Sequence, residues 1–361
     1  MARDLSPDSV RRVLIVMPSW LGDTVMATPT LRALRRLYPQ AEIAACIRRN
    51  LTPIVTDTPW LDRIITFRPR GTPGPAGRAR SAALCCLSRR LRAGRFDLVV
   101  LLPNSFRTAL LARLASIPRR IGYAREGRGV LLTDRLHPPR HNGRLTPVST
   151  RDYYLAIAQR LGAVNPSPAM QLFTRPGDDA RADELLRRAG YDPAGPRPLV
   201  LLNPGANYGD AKMWPAERFA ALADRCVTEL DAIVAISGAP NERAILALVN
   251  GAAKHPLLDL PELGVDLRLL KSVVKRARVM VTNDTGPRHM AAALGVPVVT
   301  IFGPTDPAWT EIHFRHERQV AVPVPCGPCQ LKKCPLDHRC MLRIEPEMVF
   351  QRVAELIGSS G

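Results

Sequence analysis

Twice along this chain, short apolar runs rich in β-branched residues alternate with amphipathic stretches, and that alternation most constrains its fold. In the first half, Val13–Val16 is an apolar run that ends at Pro18. Leu31, Leu34 and Leu37 then recur at helical spacing. Ala41–Ile47 and Arg63–Phe67 read as strands. Asp97–Leu102 is apolar after its first residue, as expected of a strand buried on both faces. Thr108–Ala115 predicts a helix and Arg120–Tyr123 a short strand. The second half restarts with a strand over Leu199–Leu202 and a helix over Ala216–Leu230, with Pro215 at its start. Strands over Asp231–Ser237, Arg278–Thr282 and Val296–Phe302 then alternate with helices over Glu242–Asn250, Leu267–Ala277 and Gly286–Leu294. This grammar predicts two doubly wound α/β domains. Such sheets bind ligands at the carboxyl ends of their strands, so two facing sheets would set a site in a cleft between domains.

The boundary is expected where Pro and Gly concentrate. Residues 1–175 form a first domain, and 176–197 a linker region that holds a short helix, Asp179–Arg188. Residues 198–361 form a second domain with a cysteine cluster and a C-terminal helix. Arg68–Arg95 opens as a Pro/Gly/Arg-rich loop and continues as a basic, helix-compatible stretch, Ala79–Leu91.

Charge separates the halves. Residues 1–175 carry 29 Arg, no Lys and 10 acidic residues, so the whole excess of +19 sits there and the remainder is neutral. Such a field attracts polyanions: nucleic acid, anionic lipid or a phosphorylated acceptor. A coding bias that places Arg on solvated faces explains Arg over Lys, but not the asymmetry. No run of about 18 apolar residues is present to span a bilayer. Val13–Met17 is too short for a signal-peptide core, which sets the expectation of a cytoplasmic protein. Its eight cysteines are then expected as reduced thiols or metal ligands rather than disulfides.

Four segments carry chemistry. Pro18–Asp23 (P-S-W-L-G-D) follows the first strand, and Asp23 there is either a helix N-cap or a base for an acceptor hydroxyl. Asn203–Pro215 (N-P-G-A-N-Y-G-D-A-K-M-W-P) leaves a strand with two glycines and one lysine. Its backbone N–H groups and Lys212 suit an anion, Asn207 is a candidate donor contact, and Trp214 reads as a packing anchor. Thr282–His289 (T-N-D-T-G-P-R-H) reads as either a phosphate-gripping helix start or an ordinary helix start with a buried His289. The neighbouring turn Gly303–Pro307 favours the phosphate reading. Cys326, Cys329, Cys334 and Cys340 bracket His338 with knuckle-like spacing, open to a structural zinc, free thiols or disulfides. Nothing among them looks like a catalytic metal site.

In this order, Val13–Asp23, Leu102–Arg107 (L-P-N-S-F-R), Pro204–Pro215, Ser237–Pro240 (S-G-A-P), Val281–His289 and Phe302–Pro307 (F-G-P-T-D-P) resemble glycosyltransferase family 9. The likeness is to its ADP-heptose:lipopolysaccharide heptosyltransferases, which build the inner core of lipopolysaccharide. The resemblance implies a GT-B architecture, with two Rossmann-like domains facing across a cleft. The first would receive the acceptor and the second bind the nucleotide-sugar. It implies inverting transfer without catalytic metal or cofactor. Asp23 matches the general base. Lys212, Asp284, Thr285, Gly286 and His289 match donor contacts, and Glu242 matches a residue touching the nucleoside. The implied partners are ADP-heptose and an anionic lipid-linked glycan, met peripherally at the cytoplasmic face of the inner membrane. Nucleic acid is not among them. A basic zinc-knuckle nucleic-acid binder is the reading from another class, and it lacks interleaved basic and aromatic residues. A nucleotide-sugar epimerase or an inactive sugar-nucleotide sensor would share the architecture.

Overall fold

The computed structural model describes residues 9–67 and 79–358. The expected loop at 68–78 lies outside the described residues. Two compact units emerge, Met1–Met170 and Gln171–Gly361.

The first unit holds a parallel sheet of β1 (Arg12–Val16), β2 (Glu42–Arg48), β3 (Arg63–Phe67), β4 (Leu98–Leu101), β5 (Arg119–Tyr123) and β6 (Asp134–Leu136). Their order is β3-β2-β1-β4-β5-β6. A small antiparallel hairpin pairs β7 (Arg140–His141) with β8 (Arg144–Leu145). The central strands β1, β2 and β4 are buried along nearly their whole length, which is why they are apolar without alternation. The helices are α1 (Leu21–Met26), α2 (Thr28–Leu37), α3 (Thr52–Val55), α4 (Ala79–Ala93), α5 (Phe106–Leu114) and α6 (Thr150–Arg160). Leu31 and Leu34 are fully buried on the inner face of α2, as their spacing requires.

The second unit opens with α7 (Pro176–Arg188). It repeats the same plan with β9 (Leu199–Asn203), β10 (Ile233–Ile236), β11 (Leu258–Asp259), β12 (Val279–Asn283), β13 (Val298–Ile301) and β14 (Glu317–Val320). All are parallel in the order β11-β10-β9-β12-β13-β14. Its other helices are α8 (Ala216–Leu230), α9 (Arg243–Ala252), α10 (Leu267–Val274), α11 (Gly286–Ala293), α12 (Arg339–Leu342) and α13 (Pro346–Gly358). Phe219, Ala220, Leu222, Ala223 and Cys226 line the buried face of α8. Each unit is therefore a Rossmann-like doubly wound domain whose strand order reverses between its first and fourth strands.

The expected linker 176–197 lies inside the second unit, and charge explains why. Asp178 and Asp179 begin α7 and Arg187 and Arg188 end it, matching the helix dipole. Asp178 pairs with Arg268 at 2.9 Å and Asp179 with Lys275 at 3.1 Å. Arg276 donates two hydrogen bonds to Asp183, at 2.7 and 2.8 Å. Lys271 Nζ donates to the Phe173 carbonyl at 2.7 Å. The Pro/Gly density that suggests a linker frames a docked helix instead. Among the described residues no helix is long and apolar enough to cross a membrane.

Replacing Arg276 with Ala should lower stability by about 1.5–3 kcal/mol, because a charged bidentate contact is lost. Urea denaturation measures this, and an unchanged midpoint would mean that α7 is only loosely attached.

Candidate active site

At the carboxyl edge of the second sheet, β9 and β12 are neighbours in register, with Thr282 opposite Asn203. The chain leaves β9 through a long loop that ends at α8. Asn283, at the end of β12, fastens this loop. Its Nδ2 donates to the carbonyls of Pro204 and Gly205 at 2.9 and 3.2 Å. Its Oδ1 accepts from the Trp214 N–H at 3.3 Å. Trp214 is fully buried and its Nε1 donates to the Ile344 carbonyl at 2.9 Å, so it anchors the loop by packing.

The loop carries Lys212, whose ammonium donates to Asp284 Oδ2 at 2.6 Å and to the Asp284 carbonyl at 3.0 Å. Thr305 Oγ1 donates to the same Oδ2 at 2.9 Å, and Thr310 Oγ1 to Oδ1 at 3.2 Å. Arg288 lies 3.4 Å from Oδ1 and grips Glu317 with two bonds, of 2.6 and 3.0 Å. All four ionised side chains are buried or nearly so, and their charges cancel. Burial alone would raise the Asp284 carboxyl, but Lys212 and Arg288 hold it down at about 2. Burial drives the other way at His289: with the Arg288 charge adding to it, the imidazole falls to about 3 and stays neutral. Among the described residues His289 Nδ1 finds no hydrogen-bond partner.

Beside this network, Thr285 is the N-cap of α11 but makes no side-chain cap to it; its hydroxyl instead lies 3.1 Å from that of Thr282. The first residues of the helix, Gly286 and Pro287, are half-exposed. Pro287 has no N–H, so the amides of Gly286 and Arg288 are what the helix start can offer an anion. Glu242 accepts from the Ala239 N–H at 2.7 Å, and burial raises its carboxyl. Its carboxyl lies so close over Gly205 that a Cβ there would meet it at 2.1 Å, so any side chain at 205 would have to push Glu242 aside.

The model for glycosyltransferase family 9 (heptosyltransferase) matches residues 85–339. The chain belongs to glycosyltransferase family 9. Lipopolysaccharide heptosyltransferase 2 of Salmonella typhimurium is 28% identical over 363 residues, covering 97% of this chain and 99% of its own. The structure of E. coli ADP-heptose LPS heptosyltransferase II aligns with a TM-score of 0.77 at 25% identity, over 97% of this chain and 99% of that one. A family 9 structure from Veillonella parvula aligns with a TM-score of 0.81 at 22% identity, over 97% of both chains, and shows the same fold.

The structure brings Lys212, Asp284, Thr285, Gly286 and His289 of this family 9 glycosyltransferase to one sheet edge, with Glu242 beside the same loop. Asn207 stands exposed and accepts from Asn241 Nδ2 at 2.9 Å. Asp23 lies in the first unit, half-buried in the first turn of α1. It is not an N-cap, because Trp20 holds that position. Its charge, after burial, helps hold the Tyr154 hydroxyl far above its ordinary value. Arg288, Thr310 and Glu317 escape sequence reading. Glu317 sits on a polar edge strand, and nothing local marks it as the partner of Arg288.

The four clustered cysteines and His338 border one cavity of about 20 Å³. All eight cysteines are free thiols, and among the described residues no group of three His, Cys, Asp or Glu side chains is placed to hold a metal ion. The segment reaches the site through its backbone instead. Tyr208 donates from its hydroxyl to the Gln330 carbonyl at 2.9 Å, and the Ala211 N–H donates to the Lys332 carbonyl at 3.1 Å. Gln330 N–H in turn donates to the Pro304 carbonyl at 2.8 Å.

Acid should loosen this network in two stages. An unfolded histidine takes a proton below its ordinary 6.5, whereas His289 resists until about 3, so stability falls as pH drops through that window. Asp284 adds a second loss as pH falls from 3.8 towards 2. Replacing His289 with Gln should flatten the stability profile between about pH 6 and 4 by roughly 1.4 kcal/mol per pH unit. Urea titrations across that range check this, and parallel profiles would contradict it.

Proposed function

We propose that this family 9 enzyme transfers a heptosyl group from ADP-heptose to an acceptor of the lipopolysaccharide inner core. Full-length similarity to lipopolysaccharide heptosyltransferases supports the substrates. The observation that carries the chemistry is a buried Lys212 beside the uncapped start of α11, an arrangement suited to a leaving diphosphate. The second unit is read as the donor domain. Lys212 and the first amides of α11 take up the charge that develops on the nucleoside diphosphate, and Glu242 and Asn207 contact the rest of the donor. Asp284, Thr285, Gly286 and His289 complete the donor pocket.

The first unit is read as the acceptor domain. Asp23 accepts the proton of the acceptor hydroxyl while that oxygen attacks the anomeric carbon. Bond formation and departure of the diphosphate occur in one displacement through an oxocarbenium-like transition state, so configuration inverts. The charge on the leaving group is met by Lys212 and amide dipoles, with no catalytic metal. The basic first half draws the enzyme to an anionic membrane surface that carries the acceptor.

Replacing Asp23 with Ala should slow turnover by about 10²–10⁴ and leave donor affinity unchanged. Rates and calorimetry with ADP-, GDP- and UDP-sugars measure both. Near-normal turnover would remove Asp23 from the role, and preference for another nucleotide-sugar would revise the donor.

Binding to vesicles containing anionic lipid should weaken steadily with added salt, because exposed charges are screened over about 10 Å at 0.1 M. Equal binding to neutral vesicles in a sedimentation assay would rule out the electrostatic attraction.

A further inference from the structure

Arg128 is fully buried in the first unit, yet none of the described residues gives it a carboxylate within ion-pair distance. Its Nε donates to the Tyr123 carbonyl at 2.8 Å, and its Nη1 to the Pro103 carbonyl and to Thr108 Oγ1. Its Nη2 donates to Asn104 Oδ1 at 3.3 Å. Gly122 makes room for it, since a Cβ there would lie 3.0 Å from Nη2. Burial lowers its pKa to about 10, still well above neutrality, so the charge persists. A buried charge is expensive unless it is satisfied, and this one is met at hydrogen-bond distance by dipoles alone, with the Glu126 charge acting on it from farther off.

Asn104 sits just past β4, at the carboxyl edge where the strand order reverses next to β1. Tyr153, on α6, also donates to Asn104 Oδ1, at 3.2 Å. An arginine can only donate, so the amide oxygen must face Arg128 and the Nδ2 must face away from it. Among the described residues nothing accepts from that Nδ2, and Asn104 is half-exposed. Tyr153 is itself held in place, stacked on Tyr123 with ring centroids 3.6 Å apart. The next residue, Tyr154, feels the charge of Asp23. Tyr153, which bonds to Asn104, and Tyr154, which feels the proposed base, are thus adjacent residues of α6, a helix that packs on α1 where Asp23 sits.

We propose that Asn104 Nδ2 binds an anionic oxygen, carboxylate or phosphate, of the acceptor saccharide, and that Arg128 and Tyr153 are its positioning residues. The inference rests on the acceptor reading of the first unit. The charge behind the amide, which no carboxylate pairs directly, makes Nδ2 a stronger donor and favours an anion over a neutral hydroxyl.

The test uses the full chain and a deacylated lipopolysaccharide core lacking heptose, supplied intact, dephosphorylated or carboxyl-reduced. Asn104→Asp keeps the shape, gives Arg128 a counter-ion and so should fold at least as stably. It should raise KM for the intact acceptor by about 10–100-fold, the value of a charged hydrogen bond, with kcat and donor KM nearly unchanged. Tyr153→Phe keeps the ring stack and loses one donor, so it should raise acceptor KM by a smaller factor. The difference between parent and Asn104→Asp should vanish on whichever neutralised acceptor lacks the recognised group, which tells phosphate from carboxylate. An unchanged acceptor KM in Asn104→Asp, or a difference that persists on both neutralised acceptors, overturns the proposal alone. A parent enzyme that uses none of these glycans overturns the acceptor reading, and the proposal falls with it.

Discussion

The contact between the Lys212 ammonium and the Asp284 carboxylate, 2.6 Å long and almost out of reach of water, organises the second unit. Neither ion is tolerable there alone, since an unpaired buried charge costs several kcal/mol. Pairing them forces the loop after β9 to fold back over the end of β12. Asn283 then sews that loop down through backbone contacts, and Thr305 and Thr310 bring in the loop after β13. Three segments far apart in sequence are thereby held at one sheet edge. The cost of burying so much charge is met by exact neutrality of the set and by hydroxyls that fill the remaining lone pairs.

Much of this was legible in the sequence, because buried parallel strands leave a plain apolar signature. The predicted α8 coincides with the observed one, and β12 and β13 fall within a residue or two of expectation at each end. The lost elements are those whose reason for existing is elsewhere in the chain. β14 reads E-R-Q-V and has no apolar run; part of its inward face is Glu317, buried by Arg288 and Thr300. The helix α7 was legible as Asp179–Arg188, but its docking onto the second unit was not, because ion pairs with residues 268–276, rather than a greasy face alone, hold it in place. At the site, local spacing pointed to Asp284 and Lys212 separately. It held no sign that the carboxylate's oxygens are already engaged by Lys212, Arg288, Thr305 and Thr310.

Among the described residues two arginines are fully buried, and they make an instructive pair. Arg288 meets Glu317 and Asp284, and its neighbourhood is electrically closed. Arg128 bonds to carbonyls, a hydroxyl and an amide oxygen, and no carboxylate among the described residues pairs it directly. The same residue type therefore does different work in the two units. One completes a neutral scaffold, and the other brings a positive charge against the amide of Asn104 at the corresponding sheet edge. Composition alone cannot tell them apart, although the first half of the chain carries the entire net charge.

The cysteine segment holds the loop after β9 through main-chain atoms of Gln330 and Lys332, and the Lys332 ammonium lies over the Tyr208 ring, while exposed Cys326 and buried Cys340 border one small cavity. The hydrogen bonds that hold Tyr208 and Ala211 run to its carbonyls, so they do not depend on the cysteine side chains themselves. For inhibitor chemistry this makes the segment an addressable flank of the pocket. An electrophile placed against the loop after β9 would meet the exposed Cys326 thiol on a strap whose backbone already braces that loop.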